Sequence, residues 1–334
     1  MTNLPLAITL GEPAGIGPEI SLKSWQYLRN SKQQFFAIGP KTHYSTLAKS
    51  LNISTPVCTI SAPEEVPDVF STAFPVLDTG EYIENKLGII NNSNAPTIIQ
   101  SIKTAVKLVK AKRASAIVTS PIQKESLYKA GFSFPGHTEF IADLDSTRRP
   151  VMMLMSPTLR VIPITVHIKF RDIPVELKTI NIIKKVKIAA DTLPQLLNIK
   201  KPRFAIAGLN PHAGEGGSIG DEELTIINPA ILKLQDFDIN IFGPISPDAL
   251  FTADMRSTYD VAVCMYHDQA LIPIKAIAKD AAVNVTLGLQ FIRTSPDHGT
   301  ALDIARQGIA RCDSMVTAIK IAGKMANRLS CPSK

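Results

Sequence analysis

The chain has 334 residues, 45% of them hydrophobic and 19% charged, with a formal net charge of +7. This balance excludes a disordered or low-complexity protein and is enough for two domains, or one large α/β unit, with a full hydrophobic core. The basic residues are scattered and aromatics make up only 6%, which argues against a nucleic-acid role and favours a small anionic partner.

The opening residues, MTNLPLAITLGEPAG, carry a short apolar run without a basic leader or cleavage site, so the run reads as a strand over 6–10 rather than a signal peptide. A helix is expected over 19–28 and a strand over 35–38. From 96 to 110, Ile98, Ile99, Ile102, Ala105, Val106 and Val109 share one side of a helix, with Pro96 in its first turn. A strand over 116–119 follows. Adjacent strands are expected over 151–155 and 160–166, a helix over 181–193 and a strand over 203–208. A helix over 221–234, bent at Pro229, leads to a strand over 261–266. Beyond it come a strand over 284–287, a helix over 299–307 and a last helix over 314–328.

Buried runs alternating with helices predict an α/β fold with a mostly parallel sheet covered on both faces. GFSFPG, residues 131–136, breaks the pattern, and the chain can cross back near 275–283. The expected division is therefore discontinuous: residues 1–130 with 281–334 in one domain, and 131–280 in the other. No apolar stretch reaches membrane-spanning length. Cys58, Cys264, Cys312 and Cys331 are far apart and form no CxxC pair, as expected of free thiols in a cytoplasmic protein.

Three expected strands run into histidine. His167 follows 160–166, His212 lies just beyond 203–208, and His267 ends 261–266, where VAVCMYHDQA turns abruptly polar. Ligands of open parallel sheets sit beyond the carboxyl ends of the strands. Three imidazoles meeting there would form a catalytic divalent-metal site with an open position. Taken singly, each histidine reads more readily as a hydrogen-bonded loop residue. Asp268 stands beside His267 as a possible outer partner of its ring.

Two glycine-rich loops join strands to helices. GEPAGIGPE, residues 11–19, suits either a close-approaching anion or a tight connection. GEGGSIG, residues 214–220, does not fit GxGxxG, so a Rossmann fingerprint is unsupported. Lys124, Lys275 and Arg293 are cations that could hold phosphate or carboxylate. Walker A and HExxH motifs are absent.

Taken together, GEPAGIGPEI, TSPIQK, GHTEF, GLNPHAGEGGSIG, GPISPDALF, MYHDQALIPIK and NVTLGLQFIRTSPDHGTALDIA resemble the 4-hydroxythreonine-4-phosphate dehydrogenase family of vitamin B6 biosynthesis over nearly the whole chain. The resemblance implies two α/β/α domains of the isocitrate and isopropylmalate dehydrogenase type, with the active site in the cleft. It implies that His167, His212 and His267 hold one divalent ion (zinc, magnesium or cobalt) shared between the subunits of a homodimer. It also implies that His137, Thr138, Lys275, Asn284 and Arg293 contact the phosphorylated amino-acid substrate, and that NAD or NADP is the oxidant. His137 and Lys275 are the candidates for the proton acceptor. Gln123 and Gln290 are local variations that leave the substrate-facing residues intact. The alternatives are a related dehydrogenase of 4-phosphothreonate, 4-phosphoerythronate or a ring diol, and a non-catalytic phosphometabolite-binding protein.

Overall fold

Short apolar runs closed off by glycine, proline or a polar residue form most of the strands. The computed structural model describes residues 4–84, 86–134, 136–147, 150–278 and 281–330, so Pro135 of GFSFPG and Cys331 lie outside the described residues. Along the chain the strands are β1 (Leu6–Thr9), β2 (Phe35–Ile38), β3 (Val57–Ile60), β4 (Phe74–Leu77), β5 (Ile117–Val118), β6 (Val151–Met155), β7 (Arg160–Pro163), β8 (Phe204–Ala207), β9 (Ile241–Ile245), β10 (Val261–Cys264), β11 (Val283–Leu287) and β12 (Arg293–Pro296). The chain divides into two compact units at 150/151 and 288/289, the first built from both outer segments and the second from the middle.

The first unit has the strand order β3-β4-β2-β1-β5-β12, with every neighbouring pair parallel. β1 and β2 are buried along their whole length, as parallel strands covered on both faces must be. Helix Ala95–Lys110 packs on β1 through Ile98, Ile102, Ala105, Val106 and Val109, which recur every three or four residues. Pro96 occupies its first turn, and Lys107 and Lys110 face the negative end of its dipole. Helix Asp313–Ser330 packs against β12 and β5. The core centres on Trp25, whose indole N–H donates to the Phe70 carbonyl at 2.8 Å, and on Phe35, edge-on to Phe70 at 5.0 Å. Burial of each such ring contributes roughly 1.5–3 kcal/mol.

The second unit has the order β11-β6-β7-β10-β8-β9. β11 and β6, and β6 and β7, are antiparallel pairs; β7, β10, β8 and β9 run parallel. Val161, Ala205, Ala262, Cys264 and Ile274 share its buried core. Helix His267–Ala278 packs against β7 and β10. Helix Thr179–Leu197 ends where Asn198 turns left-handed at φ 58°.

Two expected helices differ in the structure. Residues 299–307 form successive turns: Ala301 has φ 42°, and the amides of Ile304 and Gln307 reach back only three residues, at 3.2 and 2.9 Å. A left-handed residue at the start prevents the i→i−4 ladder from nucleating. Over 221–234 the irregularity precedes Pro229. Glu223–Ile227 is a π-helical turn, and Pro229 lies in the first turn of helix Asn228–Gln235. Cys58, Cys264 and Cys312 are free thiols. Among the described residues no helix is long and apolar enough to cross a membrane.

Candidate functional site

In the second unit, β7, β8 and β10 are neighbours, so parallel pairing brings their carboxyl ends to one edge. Hydrogen bonds then continue past the strands. The Ile164 amide donates to the Cys264 carbonyl at 2.8 Å, and the Thr165 hydroxyl to the Met265 carbonyl at 2.8 Å. Gln269 is buried and ties β10 to β8: its Oε1 accepts from the Met265 amide at 2.6 Å, and its Nε2 donates to the Gly208 carbonyl at 2.8 Å. The three histidine-bearing loops therefore leave strand ends that are held together.

His167 and His267 come together, with ring centroids 5.5 Å apart. His167 has φ 53°, a left-handed conformation that costs an L-residue about 1–2 kcal/mol. His267 opens helix His267–Ala278, and its Nδ1 lies 2.8 Å from Asp268 Oδ1. With the Nδ1 proton donated to that carboxylate, Nε2 keeps a lone pair for a cation. His212 is exposed and lines a cavity of about 590 Å³ that also includes Tyr266, Gln269, Phe170 and Asp248. Its positive charge, when protonated, would help stabilise the Asp248 carboxylate, which the Ser246 hydroxyl already holds below the usual carboxylate range. Among the described residues no three His, Cys, Asp or Glu side chains of one chain are grouped closely enough to hold a metal ion. The donor chemistry nevertheless suits one: two adjacent imidazoles, one with its tautomer fixed by a carboxylate, are borderline ligands of the type divalent transition metals take.

Lys275 lies on helix His267–Ala278, which begins at His267 itself, and is exposed. Eight residues of helix set it about 12 Å along the axis from His267. Asn284 sits in β11, half-buried, and its side-chain oxygen is shut from solvent without a hydrogen-bond partner among the described residues.

The first unit holds the other expected residues. Arg293, 3% exposed, opens β12, and its Nε and Nη2 donate to Thr119 Oγ1 at 3.1 and 2.6 Å. Burial pushes its guanidinium down to about 10, with the Glu139 carboxylate opposing the shift. His137 and Thr138 begin helix His137–Asp145. Burial lowers the His137 imidazole well below its ordinary 6.5, and the charges of Arg293 and Lys124 lower it further. Its Nε2 is enclosed with no hydrogen-bond partner among the described residues, as is the Ser120 hydroxyl. Neutral His137 with two cations for neighbours is a ready seat for an anion.

Thr119, Asp145 and Glu223 are contributors that inspection of the sequence overlooks. Asp145 accepts the Gln290 amide at 2.9 Å and so ties the GHTEF helix to the LGLQF turn. Its only sequence signal is a carboxylate at the end of a helix, where the dipole disfavours one.

A family model described as "Pyridoxal phosphate biosynthetic protein PdxA" matches residues 31–322. A 4-hydroxythreonine-4-phosphate dehydrogenase of Bradyrhizobium diazoefficiens is 48% identical over 335 residues, covering 96% of this chain and 97% of that protein. One from Caulobacter vibrioides is 45% identical, covering 98% and 99%. The crystal structure of a 4-hydroxythreonine-4-phosphate dehydrogenase from Klebsiella pneumoniae matches with a TM-score of 0.85 at 36% identity, covering 97% of this chain and 99% of that one.

Proposed function

Because the chain belongs to the PdxA family of pyridoxal phosphate biosynthetic proteins, we propose that it is a metal-dependent, NAD(P)-linked dehydrogenase of 4-phosphooxy-L-threonine. The C3 hydroxyl is oxidised to give 2-amino-3-oxo-4-phosphooxybutanoate. This β-keto acid loses carbon dioxide to leave 3-amino-2-oxopropyl phosphate. The observation that carries the reading is the pairing of His167 with His267, 5.5 Å apart, on strand ends cross-tied to the strand that leads to His212.

His167, His212 and His267 are the proposed holders of the ion. His212 is exposed on its own chain, which suits donation to the site of a second copy in a homodimer. When bound, a divalent ion (zinc, magnesium or cobalt) supplies Lewis-acid polarisation at the hydroxyl, and the nicotinamide supplies the hydride acceptor. The protein's own part is binding, orientation and proton handling. Arg293 and Lys275 neutralise phosphate or carboxylate, while Thr138 and Asn284 supply polar contacts. His137 is neutral in the free protein, so it first acts as a hydrogen-bond partner. Burial still lowers it, but an arriving phosphate dianion offsets the Arg293 and Lys124 charges and raises its basicity, which makes it a candidate proton acceptor; Lys275 is the alternative.

The test is the rate of NADH or NADPH formation from 4-phosphooxy-L-threonine after chelation and re-addition of each divalent ion. 4-Phosphothreonate, 4-phosphoerythronate and a ring diol run alongside. Turnover of one of these in preference to 4-phosphooxy-L-threonine would overturn the substrate, and an undiminished rate in chelator would overturn the metal.

A further inference from the structure

His212 stands at the start of an unusual stretch of backbone. His212, Ala213, Gly214, Glu215 and Gly216 have φ of 52°, 53°, 80°, 45° and 64°, five left-handed residues in succession. Three of them carry a Cβ, and each such residue costs about 1–2 kcal/mol in that conformation. Backbone of this kind persists only where its surroundings over-determine it. Burial of the loop cannot do so, because His212, Glu215 and Gly216 are all exposed.

Besides the loop's own hydrogen bonds, from the Ala213 amide to Asn210 and from the Ile219 amide to Gly214, both at 3.1 Å, a carboxylate farther along the chain braces its entry. Glu223, 2% exposed, accepts the amides of Leu209 and Asn210 on Oε1 at 2.7 and 2.8 Å, and Asn210 Nδ2 on Oε2 at 3.0 Å. Burial alone would raise its pKa, but the hydrogen bonds from Asn210 and Leu209 outweigh that and hold the carboxyl below its ordinary range. The loop is shaped around this group. A Cβ at Gly208 would meet Ala213 Cα at 2.8 Å and Oε1 at 3.1 Å, and one at Gly214 would lie 2.6 Å from Oε2. Glu223 also begins the π-helical turn Glu223–Ile227, an irregularity common at functional sites. Gly208, the root of the loop, is in turn held by Gln269, two residues beyond His267.

We propose that Glu223 is a positioning residue for the divalent ion: it fixes the left-handed loop that presents His212, and Gln269 holds that loop's root to the strand end that bears His267. The inference rests on the reading of His212 as a ligand, so the experiment separates the two.

Metal-free homodimer is titrated with cobalt(II) and followed by its visible ligand-field bands. Wild type, His212→Ala and Glu223→Gln are compared, and the melting temperature of each chelated protein is recorded. The expected result is a cobalt affinity about 10- to 100-fold weaker for Glu223→Gln, with altered bands, while the metal-free protein still melts cooperatively. An affinity and spectrum equal to wild type in Glu223→Gln, while His212→Ala weakens binding, would overturn the positioning role and leave the ligand reading standing. Equal cobalt binding by His212→Ala would overturn both. If Glu223→Gln does not fold, Asn210→Ala carries the test. It removes one of the three donors to the carboxylate and should weaken cobalt about 10-fold, the lower end for an outer partner; wild-type affinity in it would overturn the proposal.

Discussion

Replacing Thr119 by valine removes a hydroxyl and leaves the shape of the side chain nearly unchanged. That hydroxyl accepts from two nitrogens of Arg293, at 2.6 and 3.1 Å, inside a site where the arginine is 3% exposed. The guanidinium already sits at a cost, since burial holds it down to about 10. A hydrogen bond to a charged group contributes about 1.5–3 kcal/mol. The shorter contact is the stronger of the two, so we expect Thr119→Val to lose about 2 kcal/mol from the first unit. The only tryptophan of the chain, Trp25, is fully buried in that unit, so its fluorescence in a urea titration reports on the right structure. Inorganic phosphate supplies the missing acceptor, so saturating phosphate should narrow the gap between variant and wild type. By the same logic the KM for the phosphorylated substrate should rise less than in Arg293→Met, which loses the cation itself. A change below about 0.5 kcal/mol, the range of an ordinary surface substitution, would refute the view that Thr119 holds this guanidinium.

His212→Ala should abolish turnover and shift stability by no more than about 0.5 kcal/mol, because the ring is exposed; calorimetry alongside the NADH assay checks both. Lys124→Met removes a cation that depresses His137, so the imidazole rises and the acid limb of the pH–rate profile should move to higher pH. An unmoved limb would exclude His137 as the group that sets it. His43, 7% exposed, is pushed by burial from 6.5 down to about 4. The unfolded chain therefore takes up a proton below 6.5 while the folded one does not until about 4, and the first unit should lose about 3 kcal/mol as pH falls through that window. Urea midpoints read from Trp25 should fall accordingly in wild type, and more shallowly in His43→Asn.

The parts of the fold legible in the sequence are those where burial and composition agree. β1, β2 and β10 are continuous apolar runs, and helix Ala95–Lys110 shows its period openly. β12 was hidden because its four residues, RTSP, are all buried and only Thr294 is a typical strand former. β4 and β9 each carry a proline, which argues against a strand in the sequence. Helix Lys41–Ser50 has few apolar residues to mark a face, and only His43, Tyr44, Leu47 and Ala48 are buried. In the candidate site, the three histidines can be read from the strands that lead to them. Glu223 cannot, because it lies in a DEE run that resembles any solvated helix start. Its role depends on glycines at 208 and 214 making room for the carboxylate, and that is a fact of three dimensions.

The abrupt change in VAVCMYHDQA follows from the same geometry. A buried parallel strand can stop at a crevice only if the first polar residues beyond it are satisfied there. His267 directs a ring toward His167, Asp268 lies against its Nδ1 at 2.8 Å, and Gln269 turns back into the core to bind Met265 and Gly208. Of these three residues, the glutamine is the buried one, and both ends of its amide are hydrogen-bonded to backbone. Gln269→Glu would place a carboxylate against the Gly208 carbonyl, where a donor is required. It would thereby disturb the roots of the His212 and His267 loops together, whereas Asp268→Asn would reach only one ring. Cobalt affinity should therefore fall further in Gln269→Glu than in Asp268→Asn, although Asp268 is the residue that touches a histidine.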